Sequence, residues 1–446
     1  MGLLTGRIER HLISHKDITK DKPIIEMPAP DRIYIPLVCG MATDFDILVK
    51  AGDHVDIGTM IARRKSMDVP LYATVSGTVV GTEKRMHASR RPQNHIVIEN
   101  DHKDTFVPIV DTSNVDECSR EELFERMKLI GLMGMGGSGF PTYMKYTKTD
   151  NIDTILINGV ECEPYITSDH VTMKLHTKAL FDGLKLMMRI ADAQNGIIAI
   201  KEGKVELQKI LEREVFNHPN IDIAIVKDVY PMGWERHLIR TVTEKLYDKL
   251  PSEVGIIVNN ATTAIALSYG LREGKPVTHR LVTVSGDIAN PCNVHVRVGT
   301  PVHDILEYCD IHDEGDFYLI SGGPMMGLSL RNDLFVISSY MNAITIKRVP
   351  EDESAPCMRC GYCTLHCPQN LQPVRIMNAE KLMDTDLLRK LDVESCINCG
   401  FCSFICPSRI EVTGYIQMAK RRLQIEARKQ QTAQKRRESQ KKEVKS

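Results

Sequence analysis

Alternating apolar and polar positions near the start of the chain predict a small β domain. The alternation runs over residues 33–100 and is interrupted by turn-forming residues at Gly52-Asp53, Gly58 and Ser76-Gly77. We predict several short strands joined by tight turns, and we assign residues 1–105 to this domain. A polar linker near residues 101–117 separates it from the next segment.

The middle of the chain alternates helical and strand patterns. Ser119 and Glu122 form a capping box at the start of an amphipathic helix. Four apolar runs follow, separated by helical stretches: Thr154 to Asn158, Gly196 to Ile200, Asp222 to Val226 and Gly255 to Asn259. This order predicts a parallel α/β domain at residues 115–272, and such sheets bind nucleotides at the carboxyl ends of their strands.

The remainder of the chain predicts two small domains and a tail. A β-rich segment at residues 275–347 includes the sequence Gly322-Gly-Pro-Met-Met-Gly327, and a cysteine-rich domain follows at residues 350–415. Beyond residue 415 the chain becomes polar and basic, with almost no apolar residues after Ile425. We predict that residues 416–446 form a basic, largely disordered tail.

The composition narrows the class of protein. A length of 446 residues suggests about three or four domains, and a formal net charge of -1 with 26% charged residues gives no general reason to expect nucleic-acid binding. No apolar run approaches the ~20 residues of a spanning helix. Because Arg7, Glu9 and Arg10 interrupt the N-terminal apolar stretch, we expect no signal peptide and a cytoplasmic protein.

Eight of the 13 cysteines form two runs with the same spacing, C-x2-C-x2-C-x3-C-P. In such double motifs the first three cysteines hold one 4Fe-4S cluster and the fourth holds the other. Structural zinc is the alternative, but its sites usually combine two separated pairs of ligands. We therefore predict two clusters with crossed ligation: Cys357, Cys360, Cys363 and Cys406 for the first, and Cys396, Cys399, Cys402 and Cys367 for the second.

The other five cysteines are scattered along the chain, and we interpret them as packing residues of a protein in a reducing compartment. They are Cys39, Cys118, Cys162, Cys292 and Cys309.

A glycine-rich loop follows the helix that begins after Ser119. It contains Gly134, Gly136, Gly137 and Gly139, and it follows a helix instead of a strand, so it does not meet the context of a Rossmann fingerprint. Its glycine density allows backbone N–H groups to approach a phosphate or a flavin. A structural hinge is the alternative interpretation.

Three motifs of the α/β domain resemble the flavin site of the NADH-binding subunit of respiratory complex I. They are Gly136-Gly-Ser-Gly-Phe-Pro-Thr142 with Lys145, Asn158-Gly-Val-Glu-Cys-Glu-Pro164, and Val258-Asn-Asn260. The resemblance implies that the glycine loop and Lys145 hold FMN and the nicotinamide, that Glu161 and Glu163 border the flavin, and that Asn259 and Asn260 bind its phosphate. It extends the candidate site to Asn158 and Thr263.

One motif departs from that family. Complex I flavin subunits carry a Tyr-x-x-Gly-Glu-Glu stretch that contacts the dinucleotide, whereas this chain has Tyr230, Gly233 and Glu235 with Trp234 in place of the first Glu. Two interpretations stay open: Trp234 stacks on the nicotinamide or adenine, or it only packs at the rim of the site.

The N-terminal domain resembles the barrel-sandwich domain of biotinyl and lipoyl carriers, with Val49-Lys-Ala-Gly-Asp53 and Ala73-x-x-Ser-Gly-x-Val79 in the two halves. The tip between the halves, Lys65-Ser-Met-Asp68, lacks the modifiable lysine pair, so we expect no swinging arm.

Over residues 5–420 the chain resembles the C subunit of Rnf-type NAD:ferredoxin oxidoreductases. The implied fold is multidomain α/β plus β: a barrel-sandwich domain, a complex I-like flavin domain, a β-grasp domain of the soluble-ligand-binding type at residues 275–347, and a helical two-cluster ferredoxin-like domain. The implied function is electron transfer between NAD(H), FMN and two clusters in a complex that pumps sodium ions or protons. The implied location is the cytoplasmic face of the membrane, without a span of its own, beside a ferredoxin-like B subunit.

Two other functions fit the same motifs. One is a soluble flavin reductase of the same superfamily, similar to the cobalamin reductase of propanediol-using compartments. The other is a flavin-free electron wire, in which the α/β and β-grasp domains only dock partners.

Overall fold

The computed structural model of the protein describes residues 11–40, 42–311, 316–350 and 353–443, with side chains described up to residue 433. The chain divides into two units, His11–Val349 and Pro350–Ser446. No helix among the described residues is long and apolar enough to cross a bilayer.

The N-terminal β domain is a sandwich of two sheets. In the described part of the chain, the strands before the first α-helix are β1 (Ile24–Glu26), β2 (Arg32–Pro36), β3 (Phe45–Ile47), β4 (His54–Val55), β5 (Met60–Arg64), β6 (Val69–Tyr72), β7 (Gly77–His87) and β8 (Arg91–Asn100). One sheet has the strand order β2-β8-β7-β4 and the other β3-β5-β6. Because side chains alternate between the two faces of a strand, Ile33, Ile61, Val75 and Ile98 meet in one core.

The α/β domain contains a four-stranded parallel sheet. Its helices are α1 (Arg120–Ile130), α2 (Ser168–Leu175), α3 (Thr177–Ala191), α4 (Val205–Val215), α5 (Glu235–Thr243) and α6 (Ala261–Glu273). Its strands are β9 (Thr154–Asn158), β10 (Asn195–Lys201), β11 (Ile221–Val226) and β12 (Ile256–Asn260), in the order β11-β10-β9-β12. The order reverses between β9 and β12, and ligands of such sheets bind at this switch point.

The predicted helix start is confirmed. The Ser119 hydroxyl accepts a hydrogen bond from the Glu122 N–H, and the Glu122 carboxylate accepts one from the Ser119 N–H. Helix α1 ends at Gly131, which has a φ of 67°. Because this left-handed conformation is costly for residues with a Cβ, glycine ends the helix and lets the chain turn into the glycine loop.

The third domain is a mixed sheet with one helix packed on it. Its elements are β13 (His279–Gly286), β14 (Cys292–Arg297), α7 (Val302–Tyr308), β15 (Phe317–Ser321), β16 (Leu328–Leu330) and β17 (Ala343–Arg348). Val302 and Ile305 of α7 pack against Val282 and Val294 of the sheet. Strand β1 completes this sheet, whose order is β1-β14-β13-β17-β15-β16.

Strand β1 lies within residues 1–105, the predicted barrel-sandwich domain, but it pairs with a strand of the third domain. Ile24 pairs in parallel with Asn293 of β14, and the carbonyl of Thr19 accepts a 3.0 Å hydrogen bond from Asn293 Nδ2. The N–H of Tyr165 donates to the carbonyl of Ser14 at 2.8 Å. Residues 14–26 therefore pack on the second and third domains. A three-residue strand is too short to show a periodic pattern, so the sequence did not predict this arm.

The C-terminal unit is helical, with α8 (Tyr362–Leu365), α9 (Pro373–Lys381), α10 (Thr385–Lys390), α11 (Phe401–Phe404) and α12 (Val412–Glu443). Its core contains Ile376 of α9, Leu388 of α10 and Val393 from the turn before the second cysteine run. The apolar residues between the two cysteine runs thus form the helical insert that the sequence pattern predicts.

The prediction of a largely disordered tail from residue 416 is wrong at its start. Helix α12 continues to Glu443, and Ile416, Ala419 and Leu423 are buried in the same core as α9 and α10. Arg422 also donates two hydrogen bonds to the Glu380 carboxylate, at 2.9 and 2.6 Å. These contacts hold the first turns of α12 against the core. The prediction failed because the sequence of the helix as a whole is polar and gave no sign of burial.

We predict that Ile416→Ala destabilises the C-terminal unit, whereas Met418→Ala does not. Ile416 is 1% exposed and Met418 is 50% exposed on the same helix. Truncating a buried Ile costs about 2–5 kcal/mol. Thermal loss of cluster absorbance in the full-length protein should therefore shift to a lower temperature only for the first variant. Equal midpoints for the two variants would contradict the burial of this face.

Candidate functional site

The candidate nucleotide site lies where β9 and β12 end side by side. Asn158 and Asn260 are the last residues of the two strands and are paired across the sheet. The Asn158 side chain accepts from the Val160 N–H at 3.1 Å and donates to the Gly233 carbonyl at 2.8 Å. The structure therefore brings the Asn158 segment, the Gly233 turn and the Asn pair to one edge of the sheet.

The glycine loop closes over this edge. Gly134 N–H donates to the Phe140 carbonyl at 2.7 Å, and Gly139 N–H donates to the Gly134 carbonyl at 3.2 Å, so the loop folds back on itself. A Cβ on Gly136 would lie 3.1 Å from Asn260 Nδ2. Gly137 has a φ of 94° and faces open space. At its glycines, the loop therefore presents only backbone toward the space above the strand ends.

Helix α6 begins at the same place. The Asn260 side chain caps it by accepting from the Thr263 N–H at 3.2 Å, and the Thr263 hydroxyl accepts from the Met135 N–H of the glycine loop at 2.9 Å. A helix N-terminus carries a partial positive charge and favours phosphate. Asn260 and Thr263 thus lie together as expected. Asn259 does not join them, because its buried amide donates to the Tyr146 hydroxyl at 2.7 Å.

Lys145 reaches the same edge from the 3-10 helix Thr142–Tyr146. Its Nζ donates to the Val258 carbonyl at 2.6 Å and lies 3.8 Å from the Glu235 carboxylate. Burial lowers the pKa of Lys145, and Glu235 opposes that shift. The structure therefore pairs two of the predicted site residues, one cation and one anion.

Glu161 is a buried carboxylate that holds neighbouring parts of the protein together. It accepts from the Asp169 N–H at 2.7 Å at the start of α2, and it lies 3.2 Å from Lys16 Nζ and 3.7 Å from Lys204 Nζ. Burial opposes its ionisation, but Lys16, Lys204, His170 and the Asp169 N–H together outweigh burial and hold the pKa of Glu161 below its ordinary value. Its contacts with the N-terminal arm and α2 indicate a structural role beside the site.

Glu163 is held by the third domain. Its two carboxylate oxygens accept from the Met325 N–H at 3.0 Å and the Met326 N–H at 2.9 Å. A Cβ on Gly323 would lie 2.3 Å from the Glu163 carboxylate, so this approach requires glycine. Burial raises the pKa of Glu163 to about 7. The Gly322–Gly327 segment is thus the partner of one predicted site residue.

The segment that departs from the complex I pattern also lies at this edge. Tyr230 is buried, and Gly233 approaches Cys162 so closely that a Cβ would lie 3.0 Å from its Sγ. Trp234 precedes α5 and packs edge to face on His237, with ring centroids 4.8 Å apart. These contacts agree with packing at the rim, and they leave stacking on a dinucleotide as a prediction.

Two residues near the site were missed in the sequence. Asp169 accepts from Asn260 Nδ2 at 2.6 Å and from the Thr262 hydroxyl at 2.7 Å. Arg280, in β13, donates to the Met135 carbonyl at 3.0 Å. No sequence signal singles out Asp169. Arg280 could have been noticed, because it shares the buried face of β13 with Val282 and Val284, where a charge breaks the apolar alternation.

The residues at the strand ends fit a phosphate-bearing flavin. They combine a glycine-rich loop, the N-terminus of α6 and the cation Lys145, all at the switch point of the sheet. These are the features that bind nucleotide phosphates and allow backbone to approach a flavin ring.

In the C-terminal unit, four cysteines line one small cavity. They are Cys367 from the first run and Cys396, Cys399 and Cys402 from the second. Burial raises the pKa values of the Cys399 and Cys402 thiols to about 12. Thiols in this cavity therefore need a strong cation to deprotonate them, as iron does. The set agrees with the crossed ligation predicted for the second cluster.

The segment before the first cysteine run lies close to the segment after the second run. Ala355 N–H donates to the Ser408 carbonyl at 3.0 Å, and the Ser408 hydroxyl donates to the Pro356 carbonyl at 3.1 Å. These bonds bring the segment before Cys357 to the segment after Cys406. Cys357 and Cys360 are exposed.

The backbone repeats itself around the two runs. Arg359 and Asn398, just before the second cysteine of each run, have φ values of 59° and 54°, and Gly361 and Gly400, just after it, have 77° and 75°. The Asn398 N–H donates to Cys396 Sγ at 3.4 Å. Left-handed residues of this kind turn successive N–H groups toward an anion, an arrangement found in iron–sulfur sites. Among the described residues, no three His, Cys, Asp or Glu side chains are grouped to hold a single metal ion.

Four family models match the chain. They are the RnfC barrel sandwich hybrid domain over residues 9–103, the Nuo51 FMN-binding domain over 127–269, the SLBB domain over 281–329 and the 4Fe-4S dicluster domain over 356–411. The predicted multidomain fold class is confirmed, and the cofactors that these domains imply are FMN and 4Fe-4S clusters.

Relatives match over most of the chain. The C subunit of the ion-translocating oxidoreductase complex of Rhodobacter capsulatus is 33% identical over 82% of this chain and 73% of its own length. The C subunit of the proton-translocating ferredoxin:NAD(+) oxidoreductase complex of Clostridium ljungdahlii is 32% identical over 81% of each chain. The Na(+)-translocating counterpart of Acetobacterium woodii is 30% identical over 84% of this chain and 86% of its own.

The chain belongs to this family of C subunits. The resemblance that the motifs indicate is thereby confirmed. Among solved structures, an NAD+-reducing NiFe-hydrogenase in the H2-reduced state is similar, with 19% identity and a TM-score of 0.48, over 70% of this chain and 63% of that one.

We predict that the crossed ligation is visible in single-cysteine variants. Cys367→Ser should give the same change in the electron paramagnetic resonance spectrum and iron content as Cys399→Ser, because both cysteines line one cavity. Cys406→Ser should match Cys360→Ser instead. Cys118→Ser, outside both runs, is the control. A Cys367→Ser spectrum that matches Cys360→Ser would refute the pairing.

We predict that Glu163 contributes a pH dependence to stability. Its pKa is raised to about 7 in the folded protein, above its ordinary value of 4.5. The folded state therefore retains this proton at pH values where the unfolded state has lost it, so stability should fall as pH rises from about 5 to 7. In Glu163→Gln, the thermal midpoint should depend less on pH in this window.

Asp287→Asn is the control for Glu163→Gln, because Asp287 also accepts a backbone N–H of the third domain, that of Arg348, but is charge-paired with Lys347. A midpoint that varies with pH equally in wild type and Glu163→Gln would contradict the prediction.

Proposed function

We propose that this protein is the member of an Rnf-type complex that passes electrons between NAD(H), FMN and two 4Fe-4S clusters. The observation that carries the proposal is the presence, in one chain, of an FMN-binding domain and a dicluster domain. A chain with both domains is suited to convert two-electron transfer into one-electron transfer. NADH gives up two electrons as a hydride, an iron–sulfur cluster takes one at a time, and FMN, when bound, supplies chemistry that links the two.

The residues of the α/β domain would bind and orient the flavin. The glycine loop from Gly134 to Gly139 would lie against it, and the start of α6 with Asn260 and Thr263 would receive its phosphate. Lys145 would supply a positive charge, balanced by Glu235 at 3.8 Å. No general acid or base is needed, because hydride transfer depends on the relative placement of the two rings and on the charges around them.

Glu163 would border the nicotinamide, and the Gly322–Gly327 segment would hold the Glu163 carboxylate in place. Tyr230, Gly233 and Trp234 would form the rim on the dinucleotide side. Asn158 supports this rim directly, because it donates to the Gly233 carbonyl. The contacts of Asn259 and Glu161 with other protein groups make indirect roles the better proposal for these two residues.

The C-terminal unit would accept the electrons. Cys396, Cys399, Cys402 and Cys367 would hold one cluster in the shared cavity, and Cys357, Cys360, Cys363 and Cys406 would hold the other. The thiolates fix each cluster in place, and the surrounding burial and N–H groups adjust its tendency to accept an electron.

The relatives suggest the wider role. Two of them are named as ferredoxin:NAD(+) oxidoreductase subunits, one translocating protons and the other Na(+). We propose that this chain docks on the cytoplasmic face of such a complex, beside a ferredoxin-like B subunit. Subunits of similar identity serve complexes named for different ions, so the choice of ion would reside in other subunits.

The purified full-length protein tests the proposal. We expect a flavin absorbance spectrum, stoichiometric FMN on extraction, and bleaching of the cluster absorbance when NADH is added without oxygen. A chain truncated after Ile425 should behave the same, because none of the α12 residues from 424 to 433, where the described side chains end, is buried. Clusters without flavin and without an NADH response would favour the flavin-free electron wire.

A further inference from the structure

The glycine loop of the flavin domain is held by a residue of another domain. Arg280 lies in β13 of the third domain and is 2% exposed. Its Nη2 donates to the Met135 carbonyl at 3.0 Å, and its Nε donates to the Met341 carbonyl at 2.9 Å. One guanidinium therefore joins the glycine loop to the segment that leads into β17.

The peptide groups on both sides of Met135 are fixed. Its carbonyl accepts from Arg280, and its N–H donates to the Thr263 hydroxyl at 2.9 Å. Gly136 and Gly137 follow directly, and glycine loses more backbone freedom on ordering than any other residue. The two hydrogen bonds of Met135 therefore restrict Gly136 and Gly137, which have no side chains of their own to restrict them.

A second residue of the third domain supports the far end of the loop. The Tyr340 ring lies beside Gly139, so that a Cβ there would be 3.3 Å from a ring carbon. Arg280 and Tyr340 thus contact opposite ends of the Met135–Gly139 segment.

The charge of Arg280 is not matched by a direct ion pair. Among the described residues, no carboxylate lies within 4.0 Å of its guanidinium, and Asp169 acts on it only at longer range. Burial lowers the pKa of Arg280 to about 10, which leaves it charged at neutral pH. A buried cation raises the electrostatic potential around it far more than an exposed one does.

The place that Arg280 occupies in β13 would suit an apolar residue. Val282 and Val284 lie on the same face of β13 and are fully buried. A buried charged group is costly, and an apolar side chain of similar volume often gives equal or greater stability. The hydrogen bond to the loop and the charge beside it are the two properties that an apolar residue could not supply.

We propose that Arg280 is a positioning residue of the FMN site, which fixes the glycine loop through Met135 and places a positive charge beside the bound phosphate-bearing flavin. The proposal rests on the proposed function, in which this loop holds FMN. It makes the third domain a part of the flavin site instead of a separate docking module.

Three variants of the full-length protein test it: Arg280→Gln, Arg280→Lys and the control Arg297→Gln. Arg297 is also buried in the same sheet and donates to a backbone carbonyl, that of Thr74 at 3.1 Å, but this carbonyl belongs to the barrel-sandwich domain. Hydrogen bonds from charged groups contribute about 1.5–3 kcal/mol, so Arg280→Gln should weaken FMN binding about ten- to hundredfold. Arg297→Gln should leave FMN affinity unchanged.

Arg280→Lys separates charge from geometry. Lysine keeps the charge but lacks the planar fork that reaches two carbonyls. We expect weaker FMN binding but a flavin midpoint potential close to that of wild type, whereas Arg280→Gln should lower the potential. A merely structural role would lower the thermal midpoints of the Arg280→Gln and Arg297→Gln variants alike and leave the potential unchanged.

Amide hydrogen exchange of residues 135–139 in flavin-free protein gives a readout that does not depend on FMN. We expect faster exchange in Arg280→Gln than in wild type and Arg297→Gln. Wild-type exchange and wild-type FMN affinity in Arg280→Gln would overturn the inference and leave the proposed function intact. If Arg280→Gln does not fold, wild-type exchange and affinity in Arg280→Lys would overturn it equally.

Wild-type protein that binds no FMN would instead end the proposed function, and with it the flavin part of the inference. The exchange comparison would then still decide whether Arg280 fixes the loop.

Discussion

A loop made mainly of glycine has few side chains to order it, and in the flavin domain neighbouring elements supply contacts that add to the loop's own backbone hydrogen bonds. The segment from Gly134 to Gly139 gains close access for backbone N–H groups by giving up side chains, and it thereby loses the contacts that order an ordinary loop. Contacts from its neighbours replace part of what it loses. Thr263 supplies a hydroxyl from α6, Arg280 supplies a guanidinium from β13, and Tyr340 supplies a ring beside Gly139.

Other contacts also join the three N-terminal domains into one unit. The arm at residues 14–26 adds a strand to the third domain and sends Lys16 to Glu161 of the α/β domain. The Gly322–Gly327 segment crosses in the same direction to reach Glu163. Each connection ends on a segment that borders the strand ends. The neighbouring domains therefore contact the flavin domain at the segment that contains Glu161 and Glu163, which follows β9.

Local signals in the sequence predicted the four parallel strands and the start of α1, because such features depend on neighbours a few residues away. The features that were missed depend on distant partners. Asn259 and Asn260 are adjacent and identical in type, yet one bonds to Tyr146 and the other caps α6 beside the glycine loop. Glu161 lies in the right motif, but its partners are two lysines from elsewhere in the fold. Residue type and spacing do not specify which partner a side chain finds.

Identical spacing does not make the two cysteine sets equivalent sites. The backbone φ angles repeat within a few degrees, so both runs present N–H groups in the same way. Their surroundings differ, because Cys357 and Cys360 are exposed whereas Cys399 is buried. The reduction potential of a cluster depends on solvent exposure as well as on hydrogen bonds to sulfur. If both runs bind clusters as proposed, the repeated motif would supply the same ligation twice, and the packing of the helices around it would give the two clusters different potentials and a direction for electron flow.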